Sequence, residues 1–161
     1  MALGAKTYCT PVQRKPDDIA VLQYTGGTTG VAKGAMLTHA NLLANMQQCA
    51  VFMDKANVGK GTETAVAPLP LYHIYAFMLH CLLMVEYGNH SLLIPNPRDI
   101  KSFIKVLGKN PCSVFIGINT LFVALLNNAQ FRRLDFSALK LTFSGGMALT
   151  EAAATRWEMV T

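Results

Sequence analysis

The sequence is poor in charge. Of its 161 residues only 14% are charged, against 52% that are apolar, whereas soluble domains carry roughly 25% charge. A chain so apolar can bury a core, which excludes a disordered tail. It also implies apolar surface that faces something other than water, as in a piece of a larger fold. Acids are the scarcer sign, nine against 14 basic residues, for a formal net charge of +5. The basic residues are scattered, with Arg14-Lys15 the densest pair. No basic stripe is interleaved with aromatics, so nucleic-acid binding has no support. Anionic small molecules explain the sign, and so does a solvated surface.

Cysteine is sparse and unpatterned. Its four positions, 9, 49, 81 and 112, form no C-x-x-C pair, which excludes the usual zinc and redox motifs. His39, His80 and His90 have no ligand spacing among themselves, so no metal site is expected. Cys49 and Cys81 stand in apolar helical stretches, where a free thiol behaves as a small hydrophobe. A reducing cytoplasm fits this usage. The first residues lack the charged stretch and apolar run of a signal peptide. The longest apolar run, Ile74 to Val85, contains His80 and is shorter than the about 20 residues a bilayer requires. It reads as a buried helix.

What is present is an alternation of short apolar strands and helices. Residues 1–18, with Pro11 and Pro16, read as a connector. Strands are expected at Ile19 to Tyr24, Thr64 to Ala67, His90 to Ile94, Ser113 to Gly117 and Leu139 to Phe143. Helices are expected at His39 to Met53, Ile74 to Tyr87, Asp99 to Leu107, Thr120 to Asn127 and Thr150 to Met159. Thr38 and Thr150 are suitable N-caps, and Glu151 meets the dipole of the last helix. Continuous apolar strands linked by short connections argue an α/β fold, a mostly parallel sheet of about five strands with helices on both faces. The last helix reaches Thr161 without a clear C-cap.

The strongest chemical signal runs from Tyr24 to Gly34, Tyr-Thr-Gly-Gly-Thr-Thr-Gly-Val-Ala-Lys-Gly. Its glycines let backbone amides approach a ligand, its threonines add donors, and Lys33 adds a cation. Following a strand directly, these are the materials of a nucleotide-phosphate cradle. A flexible turn is the plain alternative. The lysine stands three residues after Gly30 and precedes Gly34, so the loop matches neither the Walker A spacing nor G-x-G-x-x-G.

Extended through Ala35-Met36-Leu37-Thr38-His39, the loop resembles the signature of the adenylate-forming superfamily, which includes acyl-CoA synthetases, peptide-synthetase adenylation domains and beetle luciferases. Pro68-Leu69-Pro70-Leu71-Tyr72-His73-Ile74 is similar to its second core motif. Ser144-Gly145-Gly146-Met147-Ala148-Leu149 is similar to its G-G-x-P-L turn, with Ala148 in place of the usual proline. Asn96-Pro97-Arg98-Asp99-Ile100 and Gly117-Ile118-Asn119-Thr120-Leu121-Phe122 resemble the bacterial long-chain fatty-acid–CoA ligase branch.

The resemblance implies that residues 19–161 are part of the AMP-binding N-terminal domain of such a ligase. Thr25, Gly26, Gly27, Thr28, Thr29 and Gly30 would wrap the β- and γ-phosphates of ATP, with Lys33 assisting. His73 would lie near the acyl carboxylate and the α-phosphate. Gly145, Gly146 and Met147 would run past the adenine and the head of the acyl chain, and Phe77 and Asn119 would line the fatty-acid tunnel. For His73 a satisfied loop histidine is the plain alternative, for Gly145 to Met147 an ordinary turn, and for Phe77 simple core packing.

The implied reaction joins a fatty acid to CoA through an acyl-adenylate, with ATP and Mg²⁺. The Mg²⁺-binding glutamate, the ribose-binding aspartate and the adenylation lysine of the family fall outside these 161 residues, so the isolated piece is expected to be inactive. The parent would be cytoplasmic, with peripheral contact at the inner membrane, and the excised piece would be prone to self-association. A ligase for another carboxylic acid and a non-catalytic nucleotide-binding module remain the alternatives.

Overall fold

The computed structural model describes residues 10–25 and 32–161. The chain divides into two compact units, Met1–Ala44 and Asn45–Thr161.

In the first unit, β1 (Ile19–Thr25) and β2 (Lys33–Thr38) form an antiparallel hairpin in which Leu22 faces Met36 and Tyr24 faces Gly34. The helix α1 (His39–Lys55) follows at once. Its entry is a reciprocal cap. The Asn41 amide donates to Thr38 Oγ1 at 3.2 Å, and the Thr38 amide donates to Asn41 Oδ1 at 3.0 Å, an Asn version of the capping box. The end of the expected connector is tied to the same helix start, because Pro16 and Asp18 carbonyls accept the amides of Ala40 and His39.

The second unit holds a parallel four-stranded sheet, with β3 (Thr64–Ala67), β4 (His90–Leu93), β5 (Val114–Gly117) and β6 (Leu141–Ser144) in the order β4-β3-β5-β6. The expected parallel α/β sheet is present, but with four strands. The first of the five expected strands pairs with β2 in the hairpin, because it has an adjacent partner of its own. Between β3 and β4 the chain forms α2 (Ile74–Ala76), a π-helical stretch Phe77–Leu83 and α3 (Met84–Glu86). The other helices are α4 (Ile100–Leu107), α5 (Asn119–Leu126) and α6 (Glu151–Val160). Asp99 caps α4 through the Ser102 amide at 3.0 Å, and Thr150 caps α6 through the Ala153 amide at 3.3 Å.

Strand residues alternate between two cores. Val66 and Phe115 point to one face, where they meet Phe103 of α4, Phe122 of α5 and Trp157 of α6. Ala65, Val114 and Ile116 point to the other, against Met53 of α1 and Leu79, Leu83 and Met84. Burial on both faces is why these strands read as continuous apolar runs. Phe115 sits 5.0 Å from Trp157 and 6.1 Å from Phe103, centroid to centroid. Its truncation, Phe115→Ala, is expected to cost about 3–5 kcal/mol in urea unfolding.

At the opposite end of the strands from their carboxyl termini, Glu63 is buried and accepts from Lys140 Nζ at 2.5 Å and from the Gly59 amide at 3.0 Å. Burial alone would raise the Glu63 pKa, but hydrogen bonds from Lys140, Ser113 and Gly59 outweigh it and hold the carboxyl at about 2. A depressed folded-state pKa contributes stability above the ordinary value of 4.5 and loses it as pH falls toward 2. Glu63→Gln should flatten stability across that acid window, as read by urea midpoints taken at successive pH values.

Candidate active site

The sheet order reverses direction after β3. The chain moves from β3 outward to β4, then crosses back to β5 on the other side of β3. Open α/β sheets place ligands outside the strand carboxyl ends at such a switch point. A cavity of about 210 Å³ lies there, lined by Leu69, Pro70, His73, Tyr75, Ile118, Gly146 and Met147. The lining comes from the loops after β3, β5 and β6, so the fold brings together residues far apart in sequence.

His73 is fixed by its own backbone. It is the N-cap of α2, and its Nδ1 accepts the Tyr75 amide at 3.2 Å. Its amide donates to the Pro70 carbonyl at 3.0 Å, and its carbonyl accepts the Phe77 amide at 2.9 Å. Because Nδ1 is an acceptor, a neutral ring carries its proton on Nε2. A neutral imidazole thus keeps a donor at Nε2, on a residue that lines the cavity.

Tyr75 supports the far wall. Its hydroxyl donates to the Gly117 carbonyl at 3.3 Å, and that carbonyl also accepts the Gly145 amide at 3.4 Å. Burial, with a smaller contribution from Cys49, pushes the phenol above its usual range, so it stays a neutral donor. A Cβ on Gly145 would lie 2.9 Å from the Tyr75 ring, and Gly146 has φ +76°. The first glycine makes room for the ring, and the second adopts a left-handed conformation that other residues rarely take.

The remaining expected site residues are distributed as follows. Gly26, Gly27, Thr28, Thr29 and Gly30 lie outside the described residues. Thr25 ends β1 opposite Lys33, the exposed first residue of β2. Phe77 is half-buried at the start of the π-helical stretch. Asn119 opens α5 next to Ile118, and its Oδ1 accepts from both the amide and the hydroxyl of Thr150 at 3.2 Å. Gly145 is at the foot of the turn that carries Gly146 and Met147.

Four lining residues, Leu69, Pro70, Tyr75 and Ile118, were given no role from the sequence. Leu69, Pro70 and Ile118 stood inside stretches that resemble family motifs, and Tyr75 inside the expected helix Ile74 to Tyr87.

Other titratable groups are spent on structure. His80 Nδ1 is 3.0 Å from Ser91 Oγ, while its Nε2 is buried without a hydrogen-bond partner among the described residues. Burial lowers its pKa to about 4, which keeps it neutral near neutral pH. Burial raises the Cys112 thiol to about 11 and also raises Cys49, so neither is poised as a nucleophile.

A parallel α/β unit with a small cavity of low charge at its switch point, one positioned imidazole and a glycine turn defines a candidate small-molecule site. The AMP-binding enzyme family matches residues 3–161, and the chain belongs to that family. It is 54% identical over 147 residues to the long-chain-fatty-acid–CoA ligase of Escherichia coli O6:H1, covering 91% of this chain and 26% of that protein. The chain thus spans about a quarter of the length of the curated relatives it matches. Among solved structures, ATP-bound MatB from Rhodopseudomonas palustris is 25% identical with a TM-score of 0.78, covering 93% of this chain and 28% of that one. The anthranilate CoA ligase AuaEII, in complex with anthranoyl-AMP, shares the fold at 23% identity and a TM-score of 0.81, covering 96% of this chain and 29% of that one.

The contact between Tyr75 and Gly145 yields a test. Gly145→Ala should destabilise the protein by about 1–3 kcal/mol through overpacking. In a Tyr75→Leu background the same change should cost much less, a coupling that urea unfolding of the four-member cycle measures.

Proposed function

We propose that this chain is part of an ATP-dependent ligase that activates long-chain fatty acids as acyl-adenylates and passes the acyl group to CoA. The observation that carries the reading is the 54% identity to the Escherichia coli ligase over 91% of the chain. The ATP-bound neighbour MatB supports a nucleotide at this fold, and the cavity beside His73 supplies a place for the reacting carboxylate.

In this reading a carboxylate oxygen attacks the α-phosphorus of ATP, the bond to the bridging oxygen breaks, and pyrophosphate leaves. The CoA sulfur then attacks the acyl carbon and displaces AMP. Residues Thr25 to Gly30 and Lys33 hold the departing phosphates. His73 Nε2–H donates to the carboxylate or to an α-phosphate oxygen, stabilising charge as it shifts. Gly145, Gly146 and Met147 let the backbone lie close to the adenine and the acyl head group. Phe77 borders the acyl chain.

The family also implies Mg²⁺. Among the described residues no three His, Cys, Asp or Glu side chains gather to hold a metal ion, and no step is assigned to Mg²⁺. No helix among the described residues is long and apolar enough to cross a membrane. The proposed setting is the cytoplasm, with peripheral contact at the inner membrane, where the fatty acid dissolves.

The test is ATP–pyrophosphate exchange by the full-length protein with acetate, benzoate, octanoate and palmitate. Exchange should rise with chain length, and His73→Ala should lower the palmitate rate by about 10²-fold. Exchange with benzoate alone would move the substrate to aryl acids. A folded protein inactive with all four would overturn the ligase reading.

A further inference from the structure

The turn that carries Gly146 and Met147 into the cavity has no regular structure between β6 and α6. Gly146, Met147, Ala148 and Leu149 make no hydrogen bond to a described residue. With Ala148 at its centre, the turn also lacks the fixed φ that a proline would impose. Its hydrogen-bonded anchors are therefore its two ends.

The first end is held at Gly145. The Gly145 amide reaches the Gly117 carbonyl at 3.4 Å, and the Tyr75 hydroxyl reaches the same carbonyl at 3.3 Å. The second end is held at Thr150, and the holder is Asn119. Its Oδ1 accepts from the Thr150 amide and hydroxyl, both at 3.2 Å. The Thr150 hydroxyl in turn accepts the Ala153 amide at 3.3 Å. A chain of donors thus runs from the first turn of α6 through Thr150 into Asn119, and such chains strengthen their members. Ile118 lines the cavity while Asn119, its neighbour, does not.

We infer that Asn119 is a positioning residue for the proposed ligase. It fixes the α6 end of the Gly145–Leu149 turn, so that Gly146 and Met147 keep their place against the acyl head group. It acts through Thr150 rather than by touching substrate. This rests on the ligase reading, and it replaces a lining role for Asn119 with a structural one that still has a kinetic consequence. The turn faces the acyl head group rather than the reacting atoms, so loosening one end weakens palmitate binding in ground and transition states alike, which raises KM and spares kcat.

The experiment uses the full-length protein and ATP–pyrophosphate exchange at 25 °C, with palmitate as the acid and thermal unfolding alongside. Asn119→Ala should raise the KM for palmitate by roughly tenfold while leaving kcat nearly unchanged. Thr150→Val, which removes one of the two bonds and keeps Asn119, should raise it by less. Thr150→Ser should match the wild type. The double variant Asn119→Ala/Thr150→Val should match the KM of Asn119→Ala alone, because both changes act on KM through the same contact, while its thermal stability falls further with loss of the α6 cap.

A wild-type KM in a thermally weakened Asn119→Ala protein would overturn the proposal, leaving only a helix cap. Additive losses would also overturn it, placing the Asn119 amide in direct contact with substrate. If Asn119→Ala does not fold, Thr150→Val against Thr150→Ser decides the question. A folded wild type without exchange would sink the ligase reading itself, whereas an active wild type with an unresponsive Asn119→Ala sinks this inference alone.

Discussion

The structure depends on β5 being buried on both faces. All four of its residues are inaccessible to solvent, with Phe115 turned to one core and Val114 and Ile116 to the other. A strand in that position cannot shift register by one residue without exchanging its two sets of side chains. Phe115 meets helices α4 to α6, whereas Val114 and Ile116 meet a different set, so an exchange would misfit both layers. The register of β5 then fixes where its carboxyl end lies. There the Gly117 carbonyl collects Tyr75 from one side and Gly145 from the other. The site is thus anchored by backbone, and side chains organise around it.

Much of this was legible in the sequence. The apolar runs marked β3, β4, β5 and β6 within a few residues, and β3 and β5, covered on both sides, need no alternation. The caps at Thr38 and Thr150 were legible because a short oxygen-bearing side chain before a helix has one preferred use, whereas Asp99 was read as the first residue of the helix it caps. The hairpin strand β2 was not. Lys33 and Gly34 read as the tail of a glycine loop, and β2 gains its structure from pairing with β1, which composition does not report. The π-helical stretch Phe77–Leu83 was equally hidden. Its residues are apolar nearly all round, so a change of helical pitch leaves no trace in their pattern.

The site was legible in parts. Resemblance drew attention to His73 and to Gly145, Gly146 and Met147, and the fold brings His73, Gly146 and Met147 to one cavity. Periodicity alone could not do so, since the three loops join only through the strand order. Asn119 illustrates a different limit. Its place in a stretch that resembles the ligase branch suggested lining; its side chain is engaged by Thr150, and hydrogen-bond direction is a tertiary fact. Tyr75 was absorbed into an apolar helix, where nothing in sequence separates a supporting aromatic from a core one.

The lining of the cavity has a further chemical meaning. Leu69, Pro70, His73, Tyr75, Ile118, Gly146 and Met147 include no carboxylate. An incoming acid therefore meets no like charge from them. An acid bearing an α-ammonium is treated differently, since it would shed water there and find no anion among these side chains. Burying such a cation unpaired costs several kcal/mol or more. In the proposed reading, such a lining favours a plain carboxylic acid over an amino acid, by withholding the partner that only one of them needs.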